Sequence, residues 1–373
     1  MTTAIVTGFT VHAALMQKSF APLLNLRRRG VLDRVIYMTW DDGALDDLVA
    51  PAMAWREVEV VRVPQPRVSG IAQRRGFILQ SRNIAAALKL VGNPAELVVK
   101  SRPDFLFDEG FLEDKIGRFG QWRTAPDFSQ RIPPILPPSP FQARIWVPWG
   151  DGGAPFYYED AAFIGLAGDL EKLVTPLADE LIQHCGDDLS VNLAHVLRFA
   201  VPFLNTFPIF LRYIRDFHLF RMNLEYRKAM VPICIADPYY WHLAVAHAWI
   251  MAANFHVDCG RQGQLHLVTS STAHERRDRP VEELCDYVTY KDVEAWRALE
   301  EPGSFLPLLT HAGCRLMDDD WQMRLFSGPV DQGYTHENLL AILSNVRQYQ
   351  SGLLSEMEET FYGALNKLYR DIA

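Results

Sequence analysis

The stretch LVVKSRPDFLF, residues 97–107, runs from apolar residues straight into side chains that can do chemistry. Lys100 and Arg102 carry positive charge and Asp104 carries a carboxylate, and all three fall within five residues. Groups of both charges at the end of a buried strand can hold a polar ligand. They can equally mark a strand end that becomes exposed to solvent, where the two cations pair with nearby acids.

The elements that must position this motif alternate along the first hundred residues. Short apolar runs that end at glycine, at acidic residues or at proline predict strands. Apolar residues at helical spacing predict helices between these strands. Predicted strands cover 3–9, 34–40, 58–63 and 96–102; predicted helices cover a leucine-rich segment closed by RRRG at 27–30, a weaker segment at 44–58, and 73–91. This alternation predicts an α/β, Rossmann-type, mostly parallel sheet with helices on both faces.

In such sheets, ligands bind outside the carboxyl ends of the strands. The residues at these strand ends therefore lie along one edge of the predicted sheet, which we call the rim. They are Thr7, Gly8, Trp40, Asp41, Arg102 and Asp104.

The helix before the motif carries a second polar strip. Gln80 and Asn83 lie on one side of the apolar stripe, flanked by the small residues Gly76 and Ala87. An amide donates and accepts hydrogen bonds at once, which suits a nucleobase or a sugar hydroxyl. Small residues where the helix packs on the sheet, with amides capping backbone groups, would give the same pattern.

Composition excludes several classes of protein. The chain has 373 residues and a net charge of −8, so no basic field recruits nucleic acid. Its five cysteines are scattered without a CxxC pair, which argues against disulfides and structural zinc and favours a reducing compartment. Signal-peptide and transmembrane patterns are absent from the sequence. Two prolines and an asparagine interrupt the apolar segment 199–211, which favours a buried or groove-lining segment over a surface for peripheral membrane contact. We expect the protein in the cytoplasm or at the inner face of the membrane.

The usual nucleotide and hydrolase signatures are also missing. The first strand is followed by VTGFTVHAAL, which has one glycine rather than G-x-G-x-x-G, and the sequence contains no P-loop. G-x-S-x-G and H-E-x-x-H do not occur either. A dehydrogenase or a P-loop enzyme is therefore disfavoured.

Two blocks of sequence resemble the WavE lipopolysaccharide-synthesis family. The first is the helix QSRNIAAAL followed by the strand end VVKSRPDFLF. The second is WVPWGDGGAPFYYEDAAFIGLAGDLEKL, residues 146–173, in which an aromatic run leads to Asp160, then to FIG, then to an Asp-Leu that starts a helix. The resemblance covers about residues 1–180.

The resemblance implies a GT-A-like glycosyltransferase of bacterial surface-polysaccharide synthesis, either lipopolysaccharide or capsule. Such an enzyme moves a sugar from a nucleotide-sugar donor to a glycan or lipid-linked acceptor. The acidic motif after the fourth strand would bind a divalent cation (Mg or Mn) and the donor diphosphate, and Asp104 matches that acid. Arg102 occupies the place of the first acid, so the motif supplies one carboxylate and one guanidinium, and Arg102 or Lys100 could neutralise the phosphates instead.

The second block supplies candidates for the acceptor side of this reaction. Asp160 is the preferred acceptor base or acceptor anchor, and Glu159 is the alternative, because neighbours on an extended strand face opposite ways. A turn or helix-cap carboxylate is the structural alternative for Asp160. Trp146, Trp149 and Tyr158 are candidates for acceptor binding, although tryptophans that pin a loop to the core would have the same spacing.

The chain divides into two predicted regions. Residues 1–180 form a nucleotide-sugar-binding domain, in which 123–155 is a long proline-rich acceptor-side loop. Residues 181–373 form a mainly α-helical acceptor or packing region, continuous with the first. His242, His247 and His256 do not share one helix face, and the acids at 318–320 favour a solvated turn over a metal site.

Two other classes of function fit the same residues. One is a non-catalytic glycan or nucleotide-sugar binding protein on this fold, which the missing first acid suggests. The other is a nucleotidyltransferase-like α/β enzyme, which the lack of a glycine-rich phosphate loop disfavours.

Overall fold

A computed structural model gives the fold of the chain. It describes residues 1–9, 13–41, 55–65, 72–125, 139–148, 160–174, 199, 201–203, 250, 253–258, 264–267 and 286–287. The strands are β1 (Thr2–Thr7), β2 (Arg34–Trp40), β3 (Glu59–Val63), β4 (Leu97–Ser101), β5 (Phe105–Phe107), β6 (Ile145–Val147), β7 (Phe163–Leu166), β8 (Phe255–Val257), β9 (Leu265–Leu267) and β10 (Asp286–Tyr287). The α-helices are α1 (Ala13–Arg28), α2 (Ala72–Val91), α3 (Glu109–Gly117), α4 (Phe119–Trp122) and α5 (Ala167–Leu173), and short 3-10 turns lie at Trp55–Glu57 and Val201–Phe203.

Seven strands form one mostly parallel sheet in the order β3-β2-β1-β4-β7-β6-β8. Strands β3, β2, β1 and β4 run parallel, β7 is antiparallel to both β4 and β6, and β8 is parallel to β6. In the described sheet, β7 alone is therefore reversed. The predicted α/β class with a mostly parallel sheet is confirmed.

Helices pack on both faces of the sheet because successive side chains of a strand point to opposite faces. Ala4 and Val6 of β1 belong to the hydrophobic cluster that contains α1, including Phe20 and Leu23. Ile5, between them, is fully buried on the other face, where α2 contacts β1 and β2. The boundaries predicted for the first four strands and for α2 agree with the structure within two residues, and α1 ends at Arg28, inside the RRRG segment predicted to close it.

Strands from far along the chain complete the architecture. β8 joins the edge of the large sheet beside β6, and β9 pairs with β5 and β10 in a three-stranded antiparallel sheet. β8, which begins at Phe255, lies within the region predicted to be mainly α-helical. His256 of β8 stacks on Trp122 at 5.2 Å between ring centroids.

Most of the predicted helical region at 181–373 lies outside the described residues, as do His242, His247 and the acids at 318–320. Of the weaker predicted helix at 44–58, only 55–58 are described, and they begin with the 3-10 turn Trp55–Glu57. Within the described part of the chain, no helix combines the length and the apolar character needed to cross a bilayer.

The predicted loop at 123–155 contains a strand. β6 is fully buried between β7 and β8, and the indole of Trp146 packs against Phe107 and Phe111 at 6.1 and 5.8 Å between ring centroids. Trp146 Nε1 donates a hydrogen bond to the Asp258 carbonyl at 2.8 Å. The prediction that Trp146 binds an acceptor sugar is therefore wrong for this structure, because the core covers both faces of its ring.

A buried carboxylate fixes the entry into β6. Asp169, in the first turn of α5, accepts hydrogen bonds from the backbone N–H groups of Gln142 and Ala143, both at 2.9 Å. Its side chain is almost fully buried. The Asp-Leu pair of the second sequence block thus ties the turn before β6 to the helix after β7.

We expect Asp169→Ala to lower the free energy of unfolding by about 2 to 4 kcal/mol, because two backbone donors lose a charged acceptor. Chemical denaturation measures this change. Glu171→Ala, which removes an exposed carboxylate from the same helix, is the matched control and should change stability by less than about 0.5 kcal/mol. Equal losses in the two variants would contradict this role for Asp169.

Candidate functional site

Three segments meet at the carboxyl edge of the sheet. β1 and β4 are neighbours, with Val6 opposite Ser101, so the residues after both strands leave the sheet together. β7 runs the other way, and Phe163 near its start pairs with Lys100 near the end of β4. This reversal brings the segment just before β7, including Asp160, to the edge where Arg102, Pro103 and Asp104 lie. We call these three consecutive residues the RPD motif.

Arg102 joins the two aspartates at this edge. Its Nε donates to Asp104 Oδ1 at 2.8 Å and its Nη2 donates to Asp104 Oδ2 at 2.5 Å, which is the two-bond geometry that suits a guanidinium and a carboxylate. Its Nη1 lies 3.3 Å from Asp160 Oδ1. We call these three side chains the Arg102 cluster.

The solvent-facing part of the Arg102 cluster is the cation. The side chain of Arg102 is 26% exposed, whereas those of Asp104 and Asp160 are 8% and 10% exposed. Of the three side chains, Arg102 is therefore the most accessible to an anionic group at this edge. The Asp104 and Arg102 side chains face one another because the backbone turns between them, with Phe105 N bonded to the Arg102 carbonyl at 3.1 Å.

Lys100 lies beneath this cluster and is fully buried. Its Nζ donates to the backbone carbonyls of Asp160 and Ala161, the latter at 3.2 Å, and lies 5.0 Å from the centroid of the Phe163 ring. The prediction that Lys100 binds the donor phosphates directly is wrong for this structure, because its ammonium is fully buried and donates to backbone carbonyls inside the protein. Lys100 instead orients the segment that carries Asp160.

The polar strip of α2 reaches the same segment. Gln80 Nε2 donates to the Asp160 carbonyl at 3.2 Å, so Asp160 is held from both β4 and α2. Asn83 follows one helical turn later and is 1% exposed. Among the described side chains, both polar atoms of Asn83 and the hydroxyl of Thr7 are buried without a hydrogen-bond partner.

Such unpaired groups are costly, since a buried donor or acceptor without a partner loses about 1–3 kcal/mol of hydration. A ligand or ordered water can therefore supply the hydrogen bonds that Thr7 and Asn83 lack. Alternation along β1 places Thr7 on the face that α2 covers, because Ala4 and Val6 belong to the opposite face.

Gly8 allows β1 and the RPD motif to approach closely. Its φ is +141°, and a Cβ at this position would lie 3.3 Å from Pro103 Cδ. Its N–H donates to the Met38 carbonyl at 3.3 Å, which ties the end of β1 to β2. A side chain here would push on the proline that stands between Arg102 and Asp104.

We expect Gly8→Ala to lower the free energy of unfolding by about 1 to 3 kcal/mol, because an L residue is strained at this φ and meets Pro103. The same variant should weaken ligand binding through the displaced RPD motif. Gly120→Ala is the matched control, because nothing lies within 4 Å of a Cβ at that helical position. Thermal denaturation of both variants checks the difference, and an unchanged Gly8→Ala protein would contradict it.

The remaining rim residues lie one strand farther from the Arg102 cluster. Trp40 ends β2 and is 3% exposed, whereas Asp41 is exposed and its N–H bonds to the Val63 carbonyl at 3.0 Å. Both are at the predicted edge. Glu159, Tyr158 and Trp149 lie outside the described residues, so their predicted roles stay predictions.

The donor set fits a divalent cation poorly. Asp104 is the predicted metal ligand, yet Arg102 contacts both of its oxygens and also approaches Asp160. Mg²⁺ requires oxygen ligands at about 2.1 Å in octahedral geometry, which the guanidinium between these carboxylates does not permit. The described residues contain no group of three or more His, Cys, Asp or Glu side chains that could hold a metal.

The contact between Arg102 and Asp160 was missed by sequence reasoning, which assigned the two residues to opposite ends of the reaction. They are 58 positions apart. The reversed strand FIGL after the YYED segment is the signal that could have found the contact, because an antiparallel neighbour of β4 must begin where β4 ends.

No family model matches the chain, and no curated protein matches it. Among solved structures, a putative glucose-1-phosphate thymidylyltransferase from Bacillus anthracis, in complex with a sucrose, matches 52% of this chain and 81% of its own, with 9% identity and a TM-score of 0.28. A likeness of this size carries no argument about activity, and the resemblance to the WavE family stays a prediction.

Proposed function

We propose that the protein is a glycosyltransferase that moves a sugar from a nucleotide-sugar donor to a glycan or lipid-linked acceptor. The observation that carries the proposal is the Arg102 cluster, where a partly exposed guanidinium and two carboxylates meet at the carboxyl edge of a mostly parallel sheet. The resemblance to the WavE family supports a role in bacterial surface-polysaccharide synthesis. Such an enzyme would work in the cytoplasm or at the inner face of the membrane.

The donor end of this site is formed by β1, α2 and the RPD motif. Arg102 would bind the diphosphate and stabilise the charge that develops on it as the glycosidic bond breaks. Gly8 keeps the backbone beside Pro103 free of a side chain, and Thr7 and Asn83 hold unpaired polar atoms that can bind the base or the sugar hydroxyls.

The acceptor end is the segment around Asp160. In an inverting transfer, Asp160 would take the proton of the acceptor hydroxyl. The hydroxyl oxygen would attack the anomeric carbon as the nucleoside diphosphate leaves. Lys100 and Gln80 hold the Asp160 backbone, so the carboxylate is positioned from two sides. Glu159 is the alternative base, and Trp149 and Tyr158 are the proposed acceptor-binding residues.

A second candidate function is a nucleotide-sugar or glycan binding protein without catalysis. The observation in its favour is that Arg102 contacts both carboxylates, so that each already has a partner within the protein. This protein would bind the same ligands and release no product.

The two functions separate in a ligand screen with the full chain. Sugar nucleotides are tested first by thermal shift, where a ligand at 100 times its dissociation constant stabilises by about 2.7 kcal/mol. The best ligand is then incubated without acceptor. Slow release of nucleoside diphosphate supports the glycosyltransferase, binding without release supports the binding protein, and absence of binding to any sugar nucleotide contradicts both.

A further inference from the structure

We infer that Arg102 takes the place between two carboxylates where a divalent cation would otherwise sit, so that the diphosphate is bound without a metal. The inference rests on the proposed function for the identity of the ligand. Its claim about the metal concerns the three side chains of the Arg102 cluster and can be tested without any donor.

The first observation is the arrangement of charge. Two bonds join Arg102 to Asp104, and a third contact of 3.3 Å joins it to Asp160, which arrives from a different segment of the chain. A divalent cation at this point would have to displace the guanidinium from both acids.

The second observation is the order of exposure. The two carboxylates are nearly covered, and Arg102 is the most exposed of the three side chains. A phosphate can therefore contact the planar, permanently charged guanidinium while Asp104 holds it with two bonds. A metal placed at the same point would need water or phosphate oxygens to complete its coordination, in space that Arg102 fills.

Removing the guanidinium should therefore create a metal site. In Arg102→Ala, Asp104 and Asp160 lose their shared cation and become two carboxylates that face one opening. We expect Mn²⁺ alone to raise the melting temperature of this variant by at least about 2 °C, and to leave that of the parent unchanged. Arg118→Ala, which removes an exposed arginine paired with Asp114 on α3, is the matched control and should show no response to Mn²⁺.

Inorganic pyrophosphate probes the anion site separately. The parent should bind it equally in EDTA and in Mn²⁺. Arg102→Ala should bind it at least roughly 10-fold more weakly in EDTA and regain affinity in Mn²⁺, because the metal then supplies the missing positive charge. If the alanine variant does not fold, Arg102→Gln, which keeps most of the side-chain volume, takes its place.

Three results would overturn the inference. They are a parent that needs Mn²⁺ to bind pyrophosphate, a parent that is itself stabilised by Mn²⁺, and a folded Arg102 variant that does not respond to Mn²⁺. A parent that binds no pyrophosphate in either condition counts against the proposed function. The gain of Mn²⁺ binding in the Arg102 variant would still support the exchange of guanidinium for metal.

Discussion

Asp160→Asn should lower the rate of sugar transfer by roughly 10²- to 10⁴-fold, the usual scale for losing a general base. Donor affinity and melting temperature should change little. Asparagine keeps the size of the side chain, an oxygen that can face Arg102, and the backbone carbonyl that accepts from Lys100 and Gln80. Transfer assays at saturating donor, with donor titrations and thermal melts beside them, measure the three quantities separately.

Asp114→Asn is the control for this experiment. Asp114 is an exposed residue of α3 that pairs with Arg118. Because this variant makes the same chemical change outside the site, transfer should be unaffected. An Asp160→Asn protein that transfers sugar at the parent rate would show that Asp160 is not the base. Glu159 would then be the next residue to replace. Equal losses of stability and activity would instead show that Asp160 is a structural carboxylate.

Asp104→Asn should impair donor binding. Its carboxylate makes two charge-assisted bonds to Arg102, and the amide that replaces it makes at most one comparable acceptor contact. With the guanidinium loosely held, we expect donor affinity to fall by roughly 10- to 100-fold, which corresponds to the loss of one to two such bonds. Calorimetric titration of parent and variant with the best sugar nucleotide measures the change.

Asp104→Glu is the conservative comparison, because it keeps the charge but moves the carboxylate by one methylene. It should bind the donor more tightly than Asp104→Asn. The account of Asp104 would be contradicted by an asparagine variant that binds donor with parental affinity. It would also be contradicted by glutamate and asparagine variants that lose equal affinity.

Local sequence patterns were sufficient to predict the first half of the sheet. Strands such as RVIYMTW are continuous apolar runs, and α1 ends in basic residues followed by Gly30, whose φ of +75° suits a helix terminus. These signals are contained within one element. The rim residues followed from them, because parallel strands share a carboxyl edge.

Contacts between distant segments could not be predicted in this way. The proline-rich composition of 123–155 concealed β6, whose three residues are too few for a periodic pattern and are defined by pairing with β7 and β8. The burial of Trp146 follows from that pairing. Lys100 was predicted to neutralise the donor phosphates or to pair with nearby acids, but two carbonyls from the turn before β7 accept its hydrogen bonds inside the protein.

Release of nucleoside diphosphate from a sugar nucleotide tests the central claim most directly. The full chain is incubated with the sugar nucleotide that stabilises it most, and the released nucleoside diphosphate is quantified for the parent, Asp104→Asn and Asp160→Asn. The account predicts release by the parent and a large reduction in both variants. Equal release by all three proteins would contradict it. So would a parent that leaves every sugar nucleotide intact but forms pyrophosphate from a sugar phosphate and a nucleoside triphosphate.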